Sequence, residues 1–344
     1  MGIQIPLCAY FGRLSDKAGR PKLLIVSLLC SSAALTILTV NNSLLLLYVI
    51  RMMLGFSLAI FYPVSSALTA DSAPPEKMVR VLGLYSVFWG IPFAIGPIIS
   101  GYLMDYFQSF METFLLGAIL TLPAYPIIAS ISRRRHMDKE ANLPSHENPL
   151  ATEAPRADEF RKSILLWAFT AAAFYGVMSG VIGNIFPVYS VIIGFSKTVT
   201  GLFSTISHVM SILLFLVLGR LSERTTKLNL CILGAAFCVA SVMVSLTRDF
   251  MPMAFSIAIV GLGTAIIYPT SRAAVLELSP AKRGSYIGIY DSTVMGGMSA
   301  GSLLGGAFAG YIALEAPYYF ISATAVAVVL FLMLFARKRH KYAC

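Results

Sequence analysis

The sequence predicts an all-α polytopic membrane protein. Its 344 residues are 57% hydrophobic and only 12% charged, whereas a soluble domain carries about 25% charged residues. A bilayer core of ~30 Å requires a helix of about 20 apolar residues, and apolar segments near that length follow one another along most of the chain. One charged loop also occurs twice between such segments, which indicates that the helices arose by internal duplication.

Ten apolar segments are long enough to cross a bilayer as helices. An additional segment, 2–11, covers only about half of the hydrocarbon core at 1.5 Å of rise per residue. We therefore expect ten full spans and one half span. The full spans lie at 23–41, 43–69, 80–104, 112–131, 163–188, 199–218, 228–247, 252–278, 285–310 and 317–336.

The two halves of the chain repeat each other at a nearly constant offset. The loop sequence GRLSD at 12–16 returns as GRLSE at 219–223, an offset of 207 residues. Internal duplication of this kind marks many transporters whose two halves move about a central site. Further matches, at offsets of 206 and 205, pair Gly55 with Gly261, Tyr62 with Tyr268, Pro63 with Pro269 and Gly101 with Gly306.

Lysine and arginine are concentrated in alternate loops. If the loop at 12–22 is cytoplasmic, then the loop at 219–227, the polar stretch at 132–162 and the C-terminus are cytoplasmic too. The outer loops then hold only Lys197 and Arg248. This asymmetry is the positive-inside rule, and it explains the net charge of +10 without a nucleic-acid partner.

The polar stretch also predicts the domain organisation. An N-terminal bundle at 1–131 would contain half of span two and spans three to six, a cytoplasmic linker would occupy 132–162, and a C-terminal bundle at 163–344 would contain spans seven to twelve. The 207-residue offset places the counterpart of 163–206 before residue 1. We therefore expect two pseudo-symmetric six-helix bundles from which the first helix and half of the second are missing.

The loop after the half span carries the most specific motif of the chain. It contains Gly12, Asp16, Lys17, Gly19 and Arg20, and it resembles the signature loop between spans two and three of major facilitator superfamily transporters. The resemblance extends over all 344 residues and implies the fold of that superfamily, with two six-helix bundles.

In that family the loop holds the two halves together on the cytoplasmic side. The resemblance implies that Asp16 caps the helix that begins near Ser285, because a carboxylate is favoured at a helix N-terminus, and that Arg20 or Lys17 pairs with Asp71. The alternative is a solvated charged turn. We call the predicted set the latch residues: Gly12, Asp16, Lys17, Gly19, Arg20, Asp71 and, in the second half, Glu223, Arg224 and Glu277.

Three charged residues lie inside predicted spans at a distance from the span ends, where an isolated charge is costly. Arg51 resembles part of the family's span-four motif and is predicted to face a polar cavity, unless it extends to the outer surface. Arg272 and Asp291 lie at matching depths in consecutive antiparallel spans, so we expect them to pair. Asp291 would then be the proton-titrating acid of the second half, and the alternative is a static ion pair that fixes helix packing.

Polar and small residues complete the candidate sites. Gln4, Asn184 and His208 are predicted substrate contacts, although a lone polar residue in a span often bonds only to a neighbouring helix. Small residues let helices approach closely, and the first of the two sets partly resembles the antiporter motif of drug/proton exchangers. These sets are Gly90, Gly96, Pro97 and Gly101 in span five and Gly297, Gly301 and Gly305 in span eleven.

We expect a secondary active transporter that moves a small organic solute by alternating access, with proton-coupled efflux of a largely apolar compound as its function. The alternatives are uptake of a sugar or organic acid by proton symport, or a transport-inactive fragment or receptor-like homologue. The sequence has no Walker loop, catalytic triad or metal-ligand spacing, so we expect no enzyme activity, no cofactor and no metal. The expected setting is a monomer in the cell membrane, with protons and the lipid bilayer as its other partners.

Overall fold

The structure is a computed structural model that describes residues 2–40, 43–71, 77–107, 111–128, 130, 155–278 and 283–341. These residues form helices, and no strand occurs among them. We number eleven helical elements in chain order. They are α1 (Gln4–Ala18), α2 (Arg20–Thr39), α3 (Leu44–Ala70), α4 (Met78–Phe107), α5 (Met111–Ile128), α6 (Pro155–Gly180, continued through Phe186–Ile192), α7 (Lys197–Arg224), α8 (Lys227–Leu246), α9 (Phe250–Glu277), α10 (Arg283–Tyr311) and α11 (Ala316–Lys341).

The predicted spans correspond closely to these helices. Within the described ranges, nine of them, α2 to α9 and α11, are long and apolar enough to cross a membrane. The predicted span 285–310 forms α10, which has 29 residues and contains eight glycines. The predicted half span is longer than expected, because α1 continues through the charged motif as far as Ala18. The predicted linker 132–162 lies outside the described residues as far as 154, and from Pro155 it is the start of α6.

Helix ends follow from local chemistry. Gly19 separates α1 from α2 with φ of 89°, a left-handed conformation that glycine adopts without steric cost. The side chains of Ser196 and Thr226 cap α7 and α8 by accepting from Val199 N and Asn229 N, which satisfies backbone donors that have no partner within the helix. These caps fix where α7 and α8 begin.

Two helix pairs join the first half of the chain to the second. The more extensive contact is α4 against α7, and the other is α1 against α10. On its other side α10 packs on α6 of its own half. Within the halves, α2 packs on α3 and α8 packs on α9. The main buried core runs from α1 and α3 through α4 into the second half, so the two halves share one apolar core.

Large apolar side chains also cover the outer surface of the helices. Leu45, Phe88, Leu120, Leu216 and Met251 are all more than half exposed, and within α5 only Ile128 is buried among the described residues. A soluble monomer rarely exposes contiguous apolar area on this scale. These surfaces are suited to contact with lipid.

Candidate functional site

A cavity of about 880 Å³ lies between the halves. It is lined by side chains of α3, α4, α6, α7, α9 and α10, and most of its wall is apolar. We call the end of the molecule that carries Asp16 and Gly284 the inner end, and the end that carries Asp105 and Thr198 the outer end. The cavity extends from Asp291 towards Lys197, that is, from the inner part of α10 to the outer start of α7.

The inner part of the cavity contains a buried ion pair. Arg272 Nη2 in α9 lies 2.9 Å from Asp291 Oδ2 in α10, and the two side chains are only 2% and 3% exposed. The guanidinium also lies over the rings of Tyr268 and Tyr290, 5.0 and 5.8 Å from their centroids. The pairing is therefore tight, and breaking it would leave a charge buried without its partner.

Arg272 also bonds to the other half of the protein. Its Nη2 donates to Ser66 Oγ at 2.5 Å and to the Tyr62 carbonyl oxygen at 3.3 Å, both in α3. Ser66 is the repeat counterpart of Arg272, 206 residues earlier. One guanidinium thus joins the carboxylate on the cavity wall to the contact between the halves. The sequence did not reveal that Ser66 and Tyr62 accept hydrogen bonds from it.

Four aromatic rings form a stacked row along the cavity wall. Tyr62 and Trp89 have centroids 5.1 Å apart and planes 20° apart, Trp89 and Phe93 are at 6.1 Å and 21°, and Phe93 and His208 are at 5.3 Å and 15°. All four line the cavity. We call these four residues the aromatic ladder.

At the inner end, Asp16 caps a helix of the other half. Its two carboxylate oxygens accept from Gly284 N and Ser285 N, each at 3.0 Å, at the start of α10. Gly12 and Gly288 let the two backbones meet, because a Cβ on Gly12 would collide with the Gly284 carbonyl oxygen and the Gly288 Cα. The carboxylate therefore meets the positive end of the α10 dipole at close range.

A charged network surrounds this cap. Arg20 contacts Asp71, lies 3.5 Å from Asp16, and donates to the Ala67 carbonyl oxygen at 2.7 Å. Of the two predicted partners for Asp71 it is thus Arg20 that contacts it, while Lys17 is exposed on the last turn of α1. From the other half, Arg283 donates to the Ala70 carbonyl oxygen at 3.0 Å and lies 3.8 Å from Asp71.

The corresponding loop of the second half is arranged differently from the prediction. Glu277 pairs with Lys227 at 2.5 Å, and Lys227 is the counterpart of Arg20, 207 residues later. Glu223 and Arg224 are exposed, and in the described part of the chain neither has an ion pair. The positions of the helix ends explain this difference. Because α7 ends at Arg224 and α8 begins at Lys227, Lys227 is the cation that reaches Glu277 at the end of α9.

At the outer end a second carboxylate caps a helix of the other half. Asp105 Oδ2 in α4 accepts from Thr198 Oγ1 at 2.5 Å and from Thr198 N at 3.2 Å, at the start of α7. Gly101 and Gly201 allow this contact, since a Cβ on Gly101 would lie 2.9 Å from the Lys197 carbonyl oxygen. This cap was not predicted from the sequence, although Ser196 directly before Lys197 is a signal for the start of a helix.

The predicted packing glycines differ in how closely they are approached. A Cβ on Gly297 or Gly301 would collide with the carbonyl oxygens of Ala173 or Val177 in α6. At Gly90 and Gly305 a Cβ would meet side chains, which can move, instead of backbone: Ile212 at 2.6 Å for Gly90, and side chains at 3.2 Å for Gly305. Pro97 contributes the carbonyl oxygen that Gly201 approaches. Gly96 is the exception, because a Cβ at this residue would have no described atom within 4 Å.

The remaining candidates differ in whether they line the cavity. His208 lines the cavity, whereas Gln4, Asn184 and Arg51 are not among its lining residues. Gln4 is buried against α3, and the Asn184 amide donates to Ser302 Oγ at 3.0 Å. Arg51 is exposed near the start of α3, so its long side chain can extend to that end of the helix, as in the alternative given for it above.

Comparisons with known proteins agree with this architecture. The profile of the Major Facilitator Superfamily matches residues 3–251 and 230–343. A solved structure, that of the human organic anion transporter MFSD10 (TETRAN), superposes with a TM-score of 0.74 over 96% of this chain and 81% of that chain, at 14% identity. That likeness concerns the fold.

The curated relatives match either part of this chain or most of it at lower identity. NiaP of Bacillus subtilis (strain 168) is 31% identical over 36% of this chain and 33% of its own length. The class H tetracycline resistance protein of Pasteurella multocida is 28% identical over 49% of this chain and 41% of its own length, and multidrug resistance protein 2 of Bacillus subtilis (strain 168) is 23% identical over 88% and 76%. The chain thus spans less than half of the first two relatives. Because the family profile covers nearly every residue, this multi-pass membrane protein belongs to the Major Facilitator Superfamily of transporters.

Proposed function

We propose that this protein is a secondary active transporter that exports a small, largely apolar organic solute in exchange for protons. The observation that carries the proposal is the Arg272–Asp291 pair, which lies on the cavity wall and is bonded to the other half. An ionisable pair inside a membrane protein is costly and is usually retained for function. The apolar wall supports a solute of the same character.

The mechanism follows from the bonds of Arg272. When a proton binds the Asp291 carboxylate, the ion pair is replaced by a guanidinium without a countercharge, and its remaining bonds are those to Ser66 and Tyr62 in α3. The balance between contacts to α10 and contacts to α3 changes. Protonation thereby alters how the two halves meet and favours a different arrangement of them.

The direction of transport is proposed from the relatives and from topology. Several relatives are named as tetracycline or multidrug resistance proteins, which supports export. Orientation is proposed from the positive-inside rule, with the inner end, the loops at 12–22 and 219–227 and the C-terminus in the cytoplasm. In this orientation the Asp16 cap closes the cytoplasmic side, which is the role proposed for the latch residues.

Proteoliposomes with an imposed pH gradient test the proposal, with the uncharged dye Nile red as the transported probe. Wild-type protein should move Nile red against its gradient and move protons in return. Asp291→Asn and Arg272→Gln should each lose proton-driven transport while remaining folded in the membrane. A matched control is Arg248→Gln, which removes one partner of an exposed pair at 3.2 Å, Arg248–Glu315, and should transport as wild type does.

The double variant separates coupling from packing. If Asp291 carries the proton, Asp291→Asn with Arg272→Gln should recover thermal stability, because no buried charge remains unpaired, but not proton-driven transport. Recovery of both would leave the pair as a structural element and overturn the coupling role. If Nile red instead moved in the same direction as the protons, the protein would be a proton symporter and the proposal of export would be rejected.

A further inference from the structure

The aromatic ladder offers a surface for flat ligands. Its four rings lie within 15° to 21° of their neighbours' planes, and they line the cavity together. Offset stacking is a favoured arrangement of aromatic rings. Phe93, in the middle of the row, is stacked with Trp89 and with His208 but is still 45% exposed, so a ring that enters the cavity can pack against its open edge.

The charges around the cavity disfavour a cationic ligand. Asp291, the one carboxylate among the described lining residues, is already paired with Arg272 at 2.9 Å. A cationic ligand could take that carboxylate only by leaving the buried guanidinium unpaired, which is strongly unfavourable. Lys197 adds a positive charge at the outer end of the same cavity.

His208 supplies a polar group at the end of the row. Its Nδ1 lies 2.8 Å from the Ser204 carbonyl oxygen, which can only accept, so Nδ1 carries the proton in this bond. In the neutral ring Nε2 is then a hydrogen-bond acceptor. An N–H or O–H group on a ligand ring that packs against the edge of Phe93 would match it.

We propose that the cavity binds an uncharged, flat aromatic molecule with one N–H or O–H donor, its ring against the aromatic ladder and its donor on His208 Nε2. The inference deepens the proposed function, because it treats this cavity as the transport site, but it concerns binding and needs no proton gradient. A ligand with a permanent positive charge is excluded on the charges described above.

Equilibrium binding of tritium-labelled 2-naphthol tests this inference. The full chain is purified in lipid nanodiscs, and binding to empty nanodiscs is subtracted. 2-Naphthol has a flat ring and one O–H group and is uncharged at neutral pH. Two competitors probe the donor and the charge: 2-methoxynaphthalene lacks the O–H group, and 2-naphthyltrimethylammonium carries a permanent positive charge. We expect the methoxy compound to compete several-fold more weakly than unlabelled 2-naphthol, and the cation at least about tenfold more weakly.

Three variants assign the binding to the ladder. Phe93→Leu should weaken 2-naphthol binding by about twofold to tenfold, the range of one aromatic contact. His208→Phe keeps a ring but removes the acceptor, so it should abolish the difference between 2-naphthol and its methoxy analogue. The control is Phe88→Leu, on the same helix, because Phe88 is 67% exposed and does not line the cavity, and it should bind as wild type does.

Equal competition by the cation, or unchanged binding in both Phe93→Leu and His208→Phe, would overturn the inference. The proposed function is tested separately by proton-driven export of Nile red. Ladder-dependent binding without proton-driven export would leave the inference intact and reject the proposed function. Proton-driven export without 2-naphthol binding would reject the inference alone.

Discussion

The contacts at the two ends of the molecule use the same chemistry on different helices. At the inner end Asp16 of α1 caps α10, and at the outer end Asp105 of α4 caps α7. Each carboxylate belongs to the first half and each capped helix to the second. The ends differ in their surroundings, because the inner cap is joined to a network of arginines, whereas the outer one uses a threonine hydroxyl.

Neither cap is duplicated with the sequence. The counterpart of Asp16 is Glu223, which is exposed, and the counterpart of Asp105 is Gly310, 205 residues later. Duplication therefore repeated the helices but not the contacts that join the halves. Two unlike contacts at opposite ends allow one to break while the other holds, which alternating access requires.

The largest effect should come from the backbone contact beneath the inner cap. In Gly12→Ala the new Cβ would collide with backbone atoms of Gly284 and Gly288, which cannot give way as a side chain can. Overpacking costs roughly 1–3 kcal/mol, so we expect proton-driven Nile red transport to fall by roughly fivefold to hundredfold. Gly96→Ala is the control, because its Cβ meets no atom of the described residues within 4 Å, and equal rates for the two variants would show that the contact is dispensable.

Removing the charge of the inner cap should have a smaller effect. Asp16→Asn keeps the shape of the side chain but loses the attraction to the N-terminus of α10, worth about 0.3–2 kcal/mol. The inner end should therefore open more often, by roughly twofold to thirtyfold, measured as the rate at which a thiol reagent labels Ser285→Cys. Glu223→Gln, at the repeat counterpart, should leave that rate unchanged, and a similar increase in both variants would contradict the specific role of Asp16.

Removing the charge of the outer cap should open the outer end instead of the inner end. Asp105→Asn removes the same kind of charge from the N-terminus of α7, so the outer end should open by a factor in the lower part of the same range. The thiol is placed at Lys197→Cys, because Lys197 is exposed beside the cap and the bonds of the cap are made by Thr198. Asp249→Asn serves as the control, because Asp249 begins α9 without a capping bond from its side chain, and a matching change in this variant would argue against the cap.

The smallest effect is expected at Arg51. Its side chain is exposed and does not line the cavity, so Arg51→Ala should change transport by less than about twofold, as surface changes usually do. Arg51→Lys should behave in the same way. Loss of proton coupling in the alanine variant, with normal expression, would restore the cavity role that the sequence predicted.

Helix positions were predictable from the sequence because a bilayer imposes a length on apolar segments. The matched depths of Arg272 and Asp291 predicted the contact between them for the same reason. Ser66, Asp105 and the aromatic ladder could not be found in this way. Their contacts depend on how each helix is rotated against its neighbours, and apolar spans carry no polar face that fixes rotation.

The second-half loop illustrates the same limit. Its motif predicted a role for Arg224, yet Lys227 is the residue that meets Glu277. The offset of 207 residues from Arg20 to Lys227 was a signal that could have identified it. In Arg51, by contrast, a family motif predicted a cavity residue, and the helix rotation places it elsewhere.

Distances between spin labels at both ends test the central claim, that two unlike caps hold opposite ends, most directly. In a cysteine-free background, one label pair replaces the exposed residues Lys17 and Arg224 at the inner end, and another replaces Tyr106 and Tyr311 at the outer end. Asp16→Asn should increase the population of long distances at the inner pair only, and Asp105→Asn should do so at the outer pair only. A shift of both pairs in the same direction by either variant, or no shift in either, would contradict the account.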